Sequence, residues 1–404
     1  MWRTCGICGI TGPARLGLTT WRERGAILRV AQSAIFQLEN DEPNPKPCGS
    51  FRRMNETLGD LGEFELIRRL VGVAPVPTDA TAAGQLVLGS GDDAAVMRPR
   101  PGHDLVVTTD TFVDRVHFRR DWIDAPQLGA RLAEANLSDL AAMAAEPRWA
   151  LVSLGARREH AVEDLVAIQR GIALALARHG AVIAGGNLTA VSGDEWLTLT
   201  LMGECLAGKA WTRAGARPGQ LIAVTGSPGR SGANIGLASR DAAALGDSRW
   251  AGLVAAWRSP RARVELARTL ERTGWVSAAI DISDGWASDL ARLCEASGVG
   301  ARLAGEILPN DVELAAAARE LGEPLDELRF GASDDYELVL AVDPAGREGC
   351  LSIAAQLDIP LTFVGVFSSR PGVVLKDASG GVRPLAPAGY DHFRAARPDR
   401  KSVV

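Results

Sequence analysis

Four times in this chain a carboxylate stands where an apolar strand ends, or where the apolar stripe of a helix would otherwise continue. The first place is GSGDDAAVM, where Gly89 and Gly91 free the backbone and Asp92 and Asp93 stand side by side before an apolar run. Adjacent carboxylates repel, so a buried pair needs a cation or a shared proton; a solvated Gly-Asp-Asp turn is the plain alternative. The second is VVTTDTFVDRVHF, in which a strand runs into Thr108, Thr109 and Asp110. These are hard oxygen donors of the kind Mg²⁺ takes, and an ordinary strand-end turn is the competing explanation.

The third place is the helix PQLGARLAEANLSDLAAMAAEP. Its apolar stripe passes through Leu128, Leu132, Leu140 and Met143, and helical spacing puts Asn136 and Asp139 on that stripe. A carboxylate on a buried face is costly unless paired or metal-bound. Asp139 therefore reads as a ligand, with a buried arginine partner as the alternative. The fourth is SAAIDISDGWASDLARL, where a strand delivers Asp281, and Ser283 and Asp284 follow at a glycine-assisted turn into a helix that either could cap. Together the four describe a multi-metal pocket of oxygen ligands.

Such a pocket suits phosphoryl transfer, in which positioning and charge neutralisation do most of the work. No GxxxxGK[ST] loop is present. TGSPGRSGANIGL (225–237) is glycine-rich between strand and helix but lacks the lysine, and serves equally as a packing turn. The absence of HExxH, GxSxG and a kinase-type catalytic loop removes several hydrolase and kinase classes.

At 404 residues, 47% hydrophobic and 23% charged, the chain is expected to fold as two domains. A net charge of −5 gives no general basic field for nucleic acid or an anionic membrane. No apolar run approaches the ~20 residues of a bilayer span, no secretory signal opens the chain, and a cytoplasmic location is expected. Six dispersed cysteines are expected to be reduced thiols; Cys5 and Cys8 form a CxxC pair without the further ligands of a zinc site.

Residues 1–53 are irregular, with a Pro-Asn-Pro-Lys-Pro run, and are expected to be a flexible or non-native extension preceding Met54. Phe64, Ile67, Leu70 and Val71 then predict a helix. Beyond it, strands are expected at 105–111, 149–155, 181–186, 196–205, 220–226, 276–283, 336–342 and 361–367. Helices are expected at about 126–145, 160–179, 232–240, 260–273, 285–298, 310–321 and 345–357. The alternation predicts an α/β or α+β architecture, with one domain over 54–205, a second over 206–393 and a tail over 394–404.

The order and wording of the motifs GEFELI, GSGDDAAV, TTDTFVDRVHF, NLSDLAAMAAEP, KAWTRAGARPGQ, VTGSPG, IDISDG, DDYEL and GYDHF resemble the thiamine-monophosphate kinase family, over about residues 62–393. That family lies within the superfamily of aminoimidazole-ribonucleotide synthetase and selenophosphate synthetase. The resemblance implies two α/β domains, the N-terminal sheet joining its partner's in a homodimer barrel. It also implies ATP as co-substrate, several Mg²⁺ ions, thiamine monophosphate as acceptor, and direct in-line transfer without a covalent catalytic residue. Carried over by motif, Asp93, Thr108, Thr109, Asp110, Asp139, Asp281 and Asp284 are implied metal ligands. Gly186, Arg213 and Ser283 are implied ATP contacts, and His117 a substrate contact.

The chain departs from the family wording at three places. GGNLT puts Asn187, a neutral oxygen, where a metal-binding aspartate is usual. ASDDYEL moves the acidic substrate contact to Asp334. Ala-Pro-Ala at 386–388 replaces an aromatic expected to stack on the substrate, a role for which Tyr390 or Trp286 are the substitutes at hand. A superfamily paralogue with another acceptor, or a weakened nucleotide-binding protein, are the competing functional readings.

Overall fold

The computed structural model describes residues 56–73, 85–377 and 379–390. The extension before Met54, Cys5, Cys8, Cys48, the end of GYDHF and the tail lie outside the described residues.

Two short helices, α1 (Leu58–Leu61) and α2 (Glu63–Gly72), come first. In α2 the packed stripe is Leu66 and Leu70, one turn apart. The stripe expected from sequence is therefore rotated, since Phe64 is 81% exposed and Ile67 and Val71 also face out. A small antiparallel pair follows, β1 (Leu86–Leu88) with β2 (Val96–Met97).

The first main sheet contains β3 (His103–Val113), β4 (Glu146–Ala156), β5 (Val182–Ala190) and β6 (Trp196–Leu206) in the order β3-β6-β4-β5. Its helices are α3 (Ala125–Ala142) and α4 (Val162–Ala177), the latter crossing over between the parallel strands β4 and β5. Asp124 caps α3 by accepting from the Gln127 amide at 2.8 Å, with Pro126 in the first turn. The two helices pack backbone to backbone: a Cβ on Gly129 would strike the Ile168 carbonyl, and one on Gly171 the Pro126 carbonyl.

The second half begins with β7 (Leu221–Thr225), α5 (Arg230–Arg240), α6 (Ala251–Arg258) and α7 (Val264–Glu271). It continues through β8 (Val276–Asp281), α8 (Trp286–Ser297), β9 (Gly300–Ala304), α9 (Val312–Leu321) and α10 (Leu325–Phe330). It ends with β10 (Leu338–Val342), α11 (Arg347–Gln356), β11 (Leu361–Ser368), β12 (Gly372–Lys376) and β13 (Val382–Pro384). Its strands form a mixed seven-stranded sheet in the order β13-β12-β9-β11-β7-β10-β8. The two sheets and their helices make the α/β two-domain architecture expected from the alternation of patterns. One apolar core joins them: Leu128, Leu132 and Leu140 of α3 belong to the same cluster as Trp257, Leu338 and Leu340. Helix α3 is thus packed against β3 on one side and β8 and β10 on the other.

Among the described residues, no helix is long and apolar enough to cross a membrane. Cys205, Cys294 and Cys350 are free and buried. Because overfilling a tight contact costs about 1–3 kcal/mol, Gly129→Ala and Gly171→Ala are each expected to lower unfolding stability by that amount, read from urea midpoints.

Candidate active site

Alternation along β3 sorts its side chains. Thr108, Asp110 and Phe112 face inward toward α3, while Leu105, Val107, Thr109 and Thr111 face the other side. Thr108 donates to the Asp139 carboxylate on α3 at 2.5 Å. On the same helix Ser138 donates to Asp281, at the end of β8, at 2.9 Å. Asp110, Asp139 and Asp281 are thereby neighbours, each on a different element: the Asp139 charge acts on Asp110, and both act on Asp281. Burial, with the Asp139 charge beside it, pushes the Asp110 carboxyl up to about 7. Burial likewise raises Asp139, although the Thr108 bond and the charge of Arg213 pull the other way. Asp281 is raised well above the usual carboxylate range, first by burial and then by Asp139, Asp289 and Asp110.

Among the described residues none of these three carboxylates has an ion-pair partner within salt-bridge distance, which removes the buried-arginine alternative for Asp139. Carboxylates without an ion-pair partner, one buried and two half-buried, match a hard divalent ion such as Mg²⁺ in donor chemistry. The oxygens are neighbours without being a closed cage: no three carboxylate, imidazole or thiolate groups among the described residues converge to metal-ligand spacing.

The IDISDG turn is organised by a residue the sequence reading did not single out. One Asp289 oxygen accepts from the Ser283, Asp284 and Gly285 amides, each at 3.1 Å, so neither Ser283 nor Asp284 caps α8. Asp284 is paired with Arg292, which also reaches Asp289 at 2.8 Å. The Asp284 carbonyl accepts from the Tyr390 amide at 3.0 Å, bringing the start of GYDHF to this turn. Trp286 is wholly buried and stacked on Phe330 at 4.7 Å. It is closed off from any ligand, which leaves Tyr390 as the aromatic at the site's edge. Arg213 is exposed in the connection between the two sheets, its carbonyl held by Ser297 at 2.7 Å.

The glycine-rich loop before α5 is a packing turn. Its Gly229 and Ser231 amides are given to the Asp335 carboxylate at 2.6 and 2.9 Å. The neighbouring Asp334 accepts from Ser231 Oγ and from an Arg131 Nη of α3. His117 stacks parallel on Phe112 at 5.7 Å, and its Nδ1 accepts the Val113 amide at 3.1 Å.

Four expected positions are not brought to the carboxylate cluster. Thr109 Oγ1 lies on the opposite face of the sheet, bonded to Thr200 at 3.0 Å, because successive strand residues point to opposite faces. Asp110, Leu199, Val152 and Gly186 form one row across the sheet. Gly186 therefore stands three strands away, about 14 Å at ordinary strand spacing, where a Cβ would strike the Val152 carbonyl. Asn187, one residue on, points to the other face. Asp93 sits in the exposed turn between β1 and β2, its amide held by Asp92 at 2.8 Å.

Two family models match the chain: AIR synthase related protein, N-terminal domain, over residues 91–205, and its C-terminal domain counterpart over 217–378. This defines the class, a two-domain protein of the AIR synthase superfamily. A thiamine-monophosphate kinase of Rhodopirellula baltica is 33% identical over 315 residues, 76% of this chain and 92% of the relative. The crystal structure of the Stenotrophomonas maltophilia thiamine-monophosphate kinase superposes with a TM-score of 0.69 at 31% identity, covering 78% of this chain and 96% of that one. A third similar protein, AaThiL complexed with AMPPCP and TMP, has a TM-score of 0.62 at 25% identity, over 84% of this chain and all of that one. The chain belongs to the thiamine-monophosphate kinase family and is an enzyme of that kind.

Without metal, Asp110→Asn is expected to stabilise the protein. A carboxyl held near 7 in the fold and near 3.8 when unfolded weakens the fold above pH 7 by up to roughly 4 kcal/mol, and the penalty fades as pH falls toward 4. Melting curves in chelator should show the variant's advantage at pH 8 and little at pH 4, and Mg²⁺ should narrow it by stabilising the wild type.

Proposed function

We propose that the chain transfers the γ-phosphoryl group of ATP to the phosphate of thiamine monophosphate, giving thiamine diphosphate by direct in-line displacement. The observation that carries this reading is the set of carboxylates without an ion-pair partner, Asp281 buried and Asp110 and Asp139 half-buried, where α3 meets both sheets. The similar protein complexed with AMPPCP and TMP adds support from its ligands, an ATP analogue and TMP.

Asp110, Asp139 and Asp281, with Thr108 and, from the turn after Asp281, Asp284, would hold Mg²⁺; Asp93, in the exposed turn between β1 and β2, is left out of this set. The metal supplies charge neutralisation to the phosphate oxygens. The hydroxyl of Thr109 and the side chain of Asn187 face away and are left out of this ligand set. Arg213, whose charge reaches Asp139, and Ser283, on the turn after Asp281, face the nucleotide, and the backbone at Gly186 meets it from the far edge of the sheet. His117 and Asp334 contact the acceptor. A phosphate acceptor is already anionic, so no strong general base is required.

The reading includes a cytoplasmic homodimer in which two four-stranded sheets close into a barrel. Leu105, Val107 and Leu206 leave an apolar outer sheet face exposed in the single chain, as an interface would. Val107→Glu is expected to convert a dimer into a monomer by sedimentation, and a wild-type monomer would overturn that part.

Purified protein given ATP, Mg²⁺ and thiamine monophosphate is expected to form thiamine diphosphate, resolved by chromatography. Asp110→Asn is expected to lose at least about 100-fold in rate, the scale for removing one transition-state electrostatic group. ATP binding without product would refute the acceptor.

A further inference from the structure

Arg131 is wholly buried in α3, an expensive place for a guanidinium unless its partners are specific. Its Nη1 donates to the Trp257 carbonyl and its Nη2 to Asp334 Oδ2. The guanidinium lies over the rings of Trp257 at 4.8 Å, Tyr336 at 5.5 Å and Phe112 at 6.0 Å. Two of these contacts lead directly to the acceptor side. Asp334 is held from opposite directions, Oδ2 by Arg131 and Oδ1 by Ser231 Oγ, which fixes the carboxylate plane and leaves a lone pair on each oxygen. Phe112 carries His117 stacked parallel upon it.

We infer that Arg131 is a positioning residue for acceptor recognition: it sets Asp334 through Nη2 and His117 through Phe112, without touching the substrate. This rests on Asp334 and His117 being acceptor contacts. The aspartate at 334 can work as a recognition group because Arg131 and Ser231 hold it at a defined place. The acceptor group it suits is a cationic or N–H-donating heterocycle, for which a fixed carboxylate offers complementary acceptors. Electrostatic support from a desolvated guanidinium also requires the planar fork, which lysine does not reproduce.

The test is steady-state kinetics with ATP and thiamine monophosphate varied separately, on wild type, Arg131→Met, Arg131→Lys, Asp334→Asn, Ser231→Ala and the Arg131→Met/Asp334→Asn double variant. Arg131→Met is expected to raise the acceptor KM by about tenfold or more, the scale for breaking a buried charged pair. The ATP KM should stay within about twofold, Arg131→Lys should fall between, and the double variant should be no worse than the worse single one. Equal effects on both KM values, or additive effects in the double variant, would overturn the inference. So would a raised acceptor KM in Asp334→Asn beside an unchanged one in Arg131→Met. An unchanged acceptor KM in Asp334→Asn would instead remove the acceptor assignment itself. If Arg131→Met does not fold, Ser231→Ala gives the same reading: an acceptor-only rise supports the two-sided hold on Asp334, and no change sinks it.

Discussion

The two halves of this molecule are held in register by the polar face of α3. Arg131, Glu134 and Ser138 recur at helical spacing along that face and each bonds into the second half. Arg131 reaches Asp334 and the Trp257 carbonyl, Glu134 accepts the Ala262 amide at 2.8 Å, and Ser138 donates to Asp281. Apolar burial alone is non-directional. A row of buried polar groups costs free energy unless every partner sits where it must, so these three bonds select one relative placement of the two sheets from many that would bury similar area.

The same helix carries Asp139 into the space between the sheets, and there the energetics run the other way. Asp139 raises the proton affinity of Asp110, both raise that of Asp281, and none of the three has a basic ion-pair partner among the described residues. Replacing them by neutral side chains would relieve the fold. Retaining uncompensated charge at a place so rigidly framed is what a site for cation-assisted phosphate chemistry requires, and the surrounding polar bonds, including three amides on Asp289, keep its edges from collapsing.

Much of this was legible in the sequence. The long periodic elements fell close to expectation: α3 at Ala125–Ala142 for 126–145, α8 at Trp286–Ser297 for 285–298, β6 at Trp196–Leu206 for 196–205. The strands β1, β2, β9, β12 and β13 and the helices α1, α6 and α10 were missed, being short segments whose local pattern is too brief to show a period. In α2 the period was right and the face was not, because Leu66 and Phe64 are both apolar and only packing against α4 decides which turns inward. Asp289 and Arg131 were overlooked because an aspartate in a first helical turn and an arginine in a helix are unremarkable until the turn or partner they serve is adjacent.

The sequence by itself determined the chemistry of the site: which carboxylates end strands, which interrupt an apolar face, and which family wording surrounds them. Those are properties of local spacing, set by the periods of helix and strand. Only the tertiary structure decided which of those oxygens meet. It turned Thr109 away from Thr108, set Gly186 three strands from Asp110, closed Trp286 into the core, and gave Asp334 to Arg131. Strand alternation, sheet order and helix rotation are fixed by contacts between residues far apart in the chain, and no local window contains them.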